Sequence, residues 1–203
     1  KITPPAQAFI GFGNSLLADQ AGHLYMTEGF ITPGNPQAQA GTGWYRYDIN
    51  TDKWEILASL PTGSGYVTLA PDGQGGILLI GGSKDAGQRV PTSHIYRYDT
   101  IQNTWTLEPG SAPEAMSGAA SCLDGQGRLV ILGGYNPAQA TTLTSAWLVT
   151  PRTLNWSRLP TLPGGGSLLG AAACDGAGHV FLERGANNTS RPTDDFLELK
   201  LQP

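Results

Sequence analysis

The stretch "DGQGRLVILGG", residues 124–134, nearly repeats "DGQGGILLIGG", residues 72–82, at a spacing of 52 residues. In both copies a Gly-rich turn leads into a short apolar run that ends on two glycines. Two looser copies read "DQAGHLYMTEG" at 19–29 and "DGAGHVFLERG" at 175–185. A short apolar run bounded by turn residues is typical of a β-strand. The chain therefore contains one turn-and-strand unit four times.

Further strand patterns flank each unit. A short apolar stretch such as "GYVTLA" precedes each turn, and the two together predict a hairpin. A second hairpin pattern follows in three repeats, and each ends near a Trp on a 51-residue spacing: Trp54, Trp105 and Trp156. Four short strands and no helix per repeat predict an all-β protein. Together with a period of about 51 residues, these strands predict a β-propeller of four blades with four antiparallel strands per blade.

The paired glycines and the Tyr-to-Trp spacing carry a resemblance to a known family. The residues of the pattern are Gly81, Gly82, Gly133, Gly134, Tyr47 and Tyr98, together with the three repeat tryptophans. The pattern resembles the kelch repeat over essentially the whole chain. Three positions depart from it, because Glu28 and Arg184 replace the first glycine and Val149 replaces the Tyr. The resemblance implies a kelch-like propeller but no particular function, because kelch propellers serve many roles.

The repeats predict one domain over residues 1–203, with blades at about 8–57, 65–108, 117–159 and 167–201. The last blade lacks a fourth strand. We expect residues 1–4 to complete it, because they align by the period with residues 157–160. Small residues in the innermost strands favour a tight, self-contained ring of four blades. The alternatives are a piece of a larger propeller and a chain that pairs with a copy of itself.

Composition excludes several classes of partner. The formal net charge is −4 with no basic cluster, whereas phosphate binding needs clustered Lys and Arg, so no nucleic acid partner is expected. No apolar run approaches the length of a membrane span, so none is predicted. Low charge and many Ser, Thr, Asn and Gly residues favour an exported protein. Lys1 in place of an initiator Met is expected of a mature product or a piece of a longer chain.

The two cysteines are expected to be buried free thiols. Cys122 lies two residues before a turn Asp, whereas Cys174 lies directly before one. In the repeat frame the two side chains point to opposite faces of equivalent strands, which we take as an argument against a disulfide. A free Cys is commonly buried and packs as a small apolar side chain.

The loops between the second and third strands are the longest and most divergent segments, at 30–42, 83–93, 135–145 and 186–194. In kelch-like blades these loops share one side of the propeller, named here the loop face. A constant framework with divergent loops is typical of a scaffold that carries a binding site. The candidate ligand contacts are Phe30, Arg89, Tyr135, Asn136, Asn187, Asn188 and Arg191. Aromatic, Asn and Arg side chains suit hydroxyl-rich or peptide ligands.

No metal or cofactor is predicted. His23 and His179 share one repeat position, but a metal site needs two more ligands and His94 lies in a different frame. Gly76 and Arg128 stand at the matching positions of the middle blades. Because residues of such different types occupy this position, we expect it to face solvent and to tolerate substitution.

A charged pair is expected at the junction between the first and last blades. Glu28 and Arg184 share one repeat position on these blades, which would be neighbours in a closed ring. An ion pair between them would help to hold the junction together.

Three function classes stay open. The first is a non-catalytic module that binds a protein or glycan partner through the loop face. It is favoured because the repeat frame brings together no Ser/His/Asp set, no paired carboxylates and no phosphate-binding loop. The second is a structural subunit or fragment of a larger extracellular assembly, of about six to eight blades or of several chains. The third is a carbohydrate-active enzyme like the kelch-like mutarotases or galactose oxidase, with Glu114, Arg89 and His94 as its acids and bases.

Overall fold

The computed structural model describes residues 11–139, 141–187 and 191–201 as four antiparallel β-sheets arranged as propeller blades. The predicted fold class is confirmed. The innermost strands of neighbouring blades contact one another. The strands that carry the repeat tryptophans Trp54, Trp105 and Trp156 lie at the outer edge of their blades. No helix within the described ranges is long and apolar enough to span a membrane.

The strands follow the repeats. Blade 1 contains β1 (Leu16–Ala18), β2 (His23–Thr27), β3 (Trp44–Asp48) and β4 (Lys53–Ile56). Blade 2 contains β5 (Thr68–Pro71), β6 (Ile77–Ile80), β7 (Thr92–Asp99) and β8 (Thr104–Met116). Blade 3 contains β9 (Ala120–Leu123), β10 (Leu129–Leu132), β13 (Ala146–Thr150) and β14 (Asn155–Arg158), and its loop holds the short β11 (Tyr135–Asn136) and β12 (Thr141–Thr142). Blade 4 contains β15 (Ala171–Cys174), β16 (His179–Glu183) and β17 (Phe196–Lys200).

The completion of blade 4 by residues 1–4 stays a prediction, because those residues lie outside the described ranges. Within the described residues, blade 4 has three strands in the order β15–β16–β17.

The core consists of sheet faces pressed against each other. One apolar cluster joins blades 1 and 2, a second joins blades 2 and 3, and a third joins blades 3 and 4. All four residues of β6 and of β10 are buried, because the middle blades have a neighbour on both faces. This explains why their sequences, "ILLI" and "LVIL", are continuously apolar instead of alternating.

The Asp at the start of each repeat organises its turn. In every repeat one carboxylate oxygen accepts the backbone N–H groups two and four residues later, at distances of 2.7–3.0 Å. The second oxygen pairs with a basic side chain: with His23, Arg97, Arg128 and His179 in the four turns. In three of the four turns this partner stands at the predicted tolerant position, whereas in blade 2 that position is Gly76 and Arg97 comes from β7.

The expectation of free thiols is wrong, because Cys122 and Cys174 form a disulfide. Cys122 lies opposite Val130 in β10, and Cys174 lies opposite Val180 in β16. Both valines belong to the cluster between blades 3 and 4. Opposite faces of equivalent strands in adjacent blades point toward each other, so the observation used against a disulfide in fact favours one.

The expected ion pair between Glu28 and Arg184 is also wrong. The Glu28 carboxylate accepts the N–H of Gly43 within blade 1 at 2.9 Å. The buried Arg184 guanidinium pairs with Asp195 of blade 4 at 2.7 Å and donates to the carbonyls of Gly165 and Gly166, in the connection that leads into blade 4. Each charged side chain is therefore satisfied by partners close to its own blade, and the two do not pair with each other.

We expect loss of the disulfide to destabilise the propeller. The bond closes a loop of 52 residues, which restricts the unfolded chain, so replacing both cysteines by Ser should lower the free energy of unfolding by about 2–4 kcal/mol. Urea unfolding with intrinsic tryptophan fluorescence measures this. Thiol alkylation before and after reduction is the control, and equal stability of the oxidised and reduced wild-type chain would contradict the prediction.

Acid should unfold the protein through the turn carboxylates. The side chain of His179 holds the pKa of Asp175 at about 2, below the ordinary value of 3.8. Burial raises the pKa of Asp124, but Arg128 and two backbone N–H groups outweigh it and leave this pKa lowered. A carboxylate with a lowered pKa in the folded state stabilises the fold above its unfolded pKa. This stability is lost as the pH falls through the folded value.

The free energy of unfolding should therefore be nearly constant at higher pH and fall as the pH drops below the ordinary value of 3.8. Asp124→Asn should lower it by about 1–3 kcal/mol at neutral pH, because a charge-assisted hydrogen bond is lost. The exposed Asp194→Asn is the matched control. Equal effects of the two variants would contradict the role of the turn.

Candidate functional site

A ladder of backbone hydrogen bonds links the four blades at the loop face, beside the innermost strands, and is named here the channel mouth. It joins four repeat-equivalent residues at the start of the innermost strands: Gly13, Tyr66, Gly118 and Leu169. The N–H of Tyr66 donates to Gly13 O at 2.6 Å, that of Gly118 to Tyr66 O at 2.9 Å, and that of Leu169 to Gly118 O at 2.8 Å. All four have a left-handed backbone, with φ between 54° and 64°.

Two of these four residues are not glycines. A left-handed backbone strains a residue with a side chain, and such strain is concentrated at functional sites. The Tyr66 ring packs on Phe30 with ring centroids 5.1 Å apart, and burial raises the pKa of its phenol. Leu169 is 53% exposed. The mouth therefore presents an aromatic hydroxyl and an aliphatic side chain in place of two glycines.

The loops of blades 1 and 2 are built as one unit. The N–H of Ala40 donates to Lys84 O, and the N–H of Ala86 donates to Ala38 O, each at 2.9 Å. The buried Asp85 carboxylate accepts from Arg89 Nε at 3.0 Å and from the N–H of Val90 at 3.1 Å. This part of the loop face is therefore a preformed surface.

The predicted contact residues separate into two groups. Phe30 has no exposed surface, and Asn136 is buried with its amide donating to Ala115 O at 3.0 Å. Neither offers its side chain to a ligand in this arrangement. Arg89 and Arg191 are exposed and Tyr135 is half-buried, so these three present polar groups on the loop face.

The remaining two predicted contacts lie in the blade 4 loop. Asn187 closes a turn in which its side-chain oxygen accepts the N–H of Arg191 at 3.2 Å and its own N–H donates to Arg191 O at 3.0 Å. Asn188 lies outside the described residues. Asn187 and Arg191 are thus joined by two hydrogen bonds.

The candidate acids and bases of an enzyme have separate partners. Glu114 accepts from Ser145, from Trp147 Nε1 at 2.8 Å and from Gln139. Arg89 is committed to Asp85, and the exposed His94 lies edge-on to Tyr96. The hydrogen bonds and ring contacts described here do not bring these three side chains together.

The described residues contain no group of three or more His, Cys, Asp or Glu side chains placed to hold a metal ion. His23 and His179 each pair with the Asp of their own turn, at 2.8 and 2.6 Å. The two histidines share a repeat position because each pairs with the Asp of its own turn.

Sequence reasoning missed the strained pair at the mouth. The available signal was a substitution within the repeat, because Tyr66 and Leu169 occupy the position that is glycine in the other two copies. A non-glycine at a position that demands a left-handed backbone carries strain, which the sequence could have indicated.

Comparison with known proteins supports the kelch assignment. No family model matches the sequence. Kelch-like protein 36 of Rattus norvegicus is 33% identical over 164 residues, covering 76% of this chain and 25% of that protein. Kelch domain-containing protein 10 of Xenopus laevis is 28% identical over 159 residues, covering 72% and 38%. N-acetylneuraminate epimerase 1 of Escherichia coli is 27% identical over 175 residues, covering 70% and 46%.

The fold comparison agrees. The solved structure of YjhT superposes with a TM-score of 0.67 at 19% identity, over 93% of this chain and 65% of that one. The four blades, the double-glycine strands and these relatives together identify the chain as a kelch-repeat β-propeller. It spans a quarter to less than half of the relatives named above, which include an epimerase as well as kelch-like proteins.

Relief of backbone strain at the mouth should stabilise the protein. Asn adopts a left-handed backbone more readily than Leu, so Leu169→Asn should raise the free energy of unfolding by about 1 kcal/mol. Leu168→Asn is the matched control and should lower it, because Leu168 is buried. Urea unfolding measures both, and a loss of stability in Leu169→Asn would show that Leu169 serves packing alone.

Proposed function

We propose that this propeller is a non-catalytic interaction module that binds a protein partner through its loop face, centred on the channel mouth. The observation that carries the proposal is the strained pair Tyr66 and Leu169. Natural proteins retain strain and exposed apolar side chains where a partner uses them. The exposed guanidinium groups of Arg89 and Arg191 border the same face.

A protein partner fits this face better than a small ligand. The loop face presents an aromatic ring and arginines, which are residue types that anchor protein interfaces. Leu169 adds an exposed apolar side chain beside them. Kelch-like protein 36 and kelch domain-containing protein 10 are among the relatives of the chain. A glycan partner, as predicted alongside a protein, would use the same Arg and Tyr side chains.

The disulfide supports an extracytoplasmic location. Disulfides persist in oxidising compartments, and this one joins the innermost strands of blades 3 and 4. The proposed partner is therefore a secreted or surface protein.

Peptide selection on the immobilised oxidised chain tests the proposal. Enriched peptides should bind in calorimetry, and Leu169→Asn or Arg191→Ala should weaken binding at least ten-fold. The control is Gln126→Ala, on the turn of blade 3 at the opposite end of the strands, which should bind like wild type. Peptides sensitive to Gln126→Ala but not to the mouth variants would place the site on the other face.

Two further experiments on the same protein test a glycan partner and an enzymatic activity. A rise in melting temperature with simple sugars and none with selected peptides would indicate a glycan partner, because a ligand of the folded state raises its stability. The similarity to N-acetylneuraminate epimerases suggests which enzymatic activity to test. Nuclear magnetic resonance of N-acetylneuraminate would show whether the chain accelerates exchange between its anomers. We expect no acceleration, because Glu114, Arg89 and His94 have separate partners.

A further inference from the structure

A cavity of about 400 Å³ lies at the end of the strands opposite to the loop face. This end is named here the turn face, because the four Asp turns form it at 19–23, 72–76, 124–128 and 175–179. Blades 1 and 2 supply most of the cavity wall, and blade 3 adds Leu123. Ala18, Pro71 and Leu123 each directly precede a turn Asp and all line the cavity. The cavity therefore lies where the innermost strands of three blades end.

The floor of the cavity is the end of the apolar cluster between blades 1 and 2. Tyr25 and Ile77 belong to that cluster and line the cavity, and Leu17 packs against the same cluster. At the edge of the cavity, Leu123 is 37% exposed. Cavities of this size with apolar walls and a few polar groups are typical of small-molecule sites. The cavity can therefore receive the apolar body of a small ligand.

Backbone forms the wall on the side of blade 2. Gly73, Gly75 and Gly76 of its turn line the cavity without side chains. The hydroxyl of Thr100 donates to Gly75 O at 2.8 Å, which ties this turn to the end of β7. Gly75 has a left-handed backbone, and a Cβ placed on it would meet no atom within 4 Å. The wall is thus fixed by a hydrogen bond, and the space beside Gly75 is open.

Asp19 places a carboxylate at the edge of the cavity. Its Oδ1 accepts the N–H groups of Ala21 and His23, and its Oδ2 lies 2.8 Å from His23 Nδ1. Burial raises the pKa of Asp19, but the hydrogen bonds from His23 and Ala21 outweigh it and leave this pKa below its ordinary value. The Asp19 side chain is 30% exposed, whereas those of Asp72 and Asp124 are 5% and 4% exposed. Because a carboxylate oxygen accepts more than one hydrogen bond, Oδ2 can also accept from a ligand.

The cavity has a negative charge. Among the described residues that line it, Asp19 is the one with a charged side chain at neutral pH. Arg97 lines an adjoining hollow and is held there by Asp72 at 2.8 Å. The hollow between the turns of blades 3 and 4 differs, because Arg128 and Lys200 line it. The charge of the cavity between blades 1 and 2 therefore favours a cation.

We propose that this cavity binds a small organic cation, in which a primary ammonium group is attached to an aromatic or branched aliphatic body. The body packs on Leu17, Ile77 and Leu123, and the ammonium group donates to Asp19 Oδ2. A hydrogen bond between two charged groups is stronger than one between neutral groups, so the ligand charge gives selectivity. The cavity lies on the turn face, so this proposal is independent of the function assigned to the loop face.

Three naphthalene compounds test the proposal on the oxidised chain. Naphthylethylamine, naphthylethanol and naphthylacetate share an aromatic body and differ in charge. Calorimetric titration should give a dissociation constant of about 1 mM or lower for the amine, as expected for a ligand of this size. The carboxylate should bind about ten-fold more weakly or not at all. No binding of the amine, or equal affinity for the amine and the carboxylate, would overturn the proposal.

Nuclear magnetic resonance of the methyl groups locates the bound amine. The methyl signals of Leu17, Ile77 and Leu123 should shift during titration, because these side chains line the cavity. Leu143 belongs to the cluster between blades 2 and 3 and serves as the internal control. Shifts that leave out the three lining residues would place the amine elsewhere and would refute the site.

A matched pair of turn variants tests the role of the charge. Asp19→Asn keeps an oxygen that can accept the turn N–H groups but removes the charge, so amine binding should weaken about ten-fold and alcohol binding should not change. Asp175→Asn is the control, because Asp175 makes the same contacts with its own turn and with His179 but does not line the cavity. It should bind the amine like wild type, and equal losses in the two variants would contradict a contact with Asp19.

A second pair keeps the test decisive if Asp19→Asn does not fold. Ala18 is exposed and lines the cavity, so Ala18→Phe should fill the cavity, abolish amine binding and leave the melting temperature near that of wild type. Ala173→Phe places the same side chain on an exposed position of the innermost strand of blade 4 and should bind normally. Unchanged amine binding by a folded Ala18→Phe variant would overturn the proposal.

Discussion

The structure depends on the packing of one sheet face against the next. A kelch blade is too thin to bury its own apolar side chains, so each face needs a neighbour. Leu78 and Ile95 of blade 2 are buried only because Leu129 and Ile131 of blade 3 lie against them. This requirement explains the repeated sequence, because each blade must present one face to the preceding blade and a complementary face to the following one.

Backbone interactions fix the geometry within which these faces meet. The Asp of each repeat accepts two N–H groups of its own turn and pairs with a basic side chain, so every hairpin closes in the same way. At the opposite end of the strands, the left-handed residues of the channel mouth link one blade to the next. The channel mouth is therefore both a structural joint and the place where Tyr66 and Leu169 retain strain.

The disulfide shows how a correct reading of a repeat can lead to a wrong conclusion. The repeat frame assigned Cys122 and Cys174 to opposite faces of equivalent strands, which is what the structure shows. The conclusion failed because faces of different blades were compared as if they belonged to one sheet. The pair of Glu28 and Arg184 failed for the reverse reason, since each charge found partners nearer in its own blade.

The repeat by itself determined the blade number and the strand order, because these follow from a period and from alternation along strands. The kelch resemblance implied the loop face. The repeat also located Arg89, Tyr135 and Arg191 in the divergent loops. Only the tertiary structure decided that Phe30 and Asn136 are buried, that the cysteines meet, and that Phe196 is exposed where Trp44, Ile95 and Ala146 are covered. The physical reason is that burial depends on which blade lies opposite a face, and a local pattern carries no information about the neighbour.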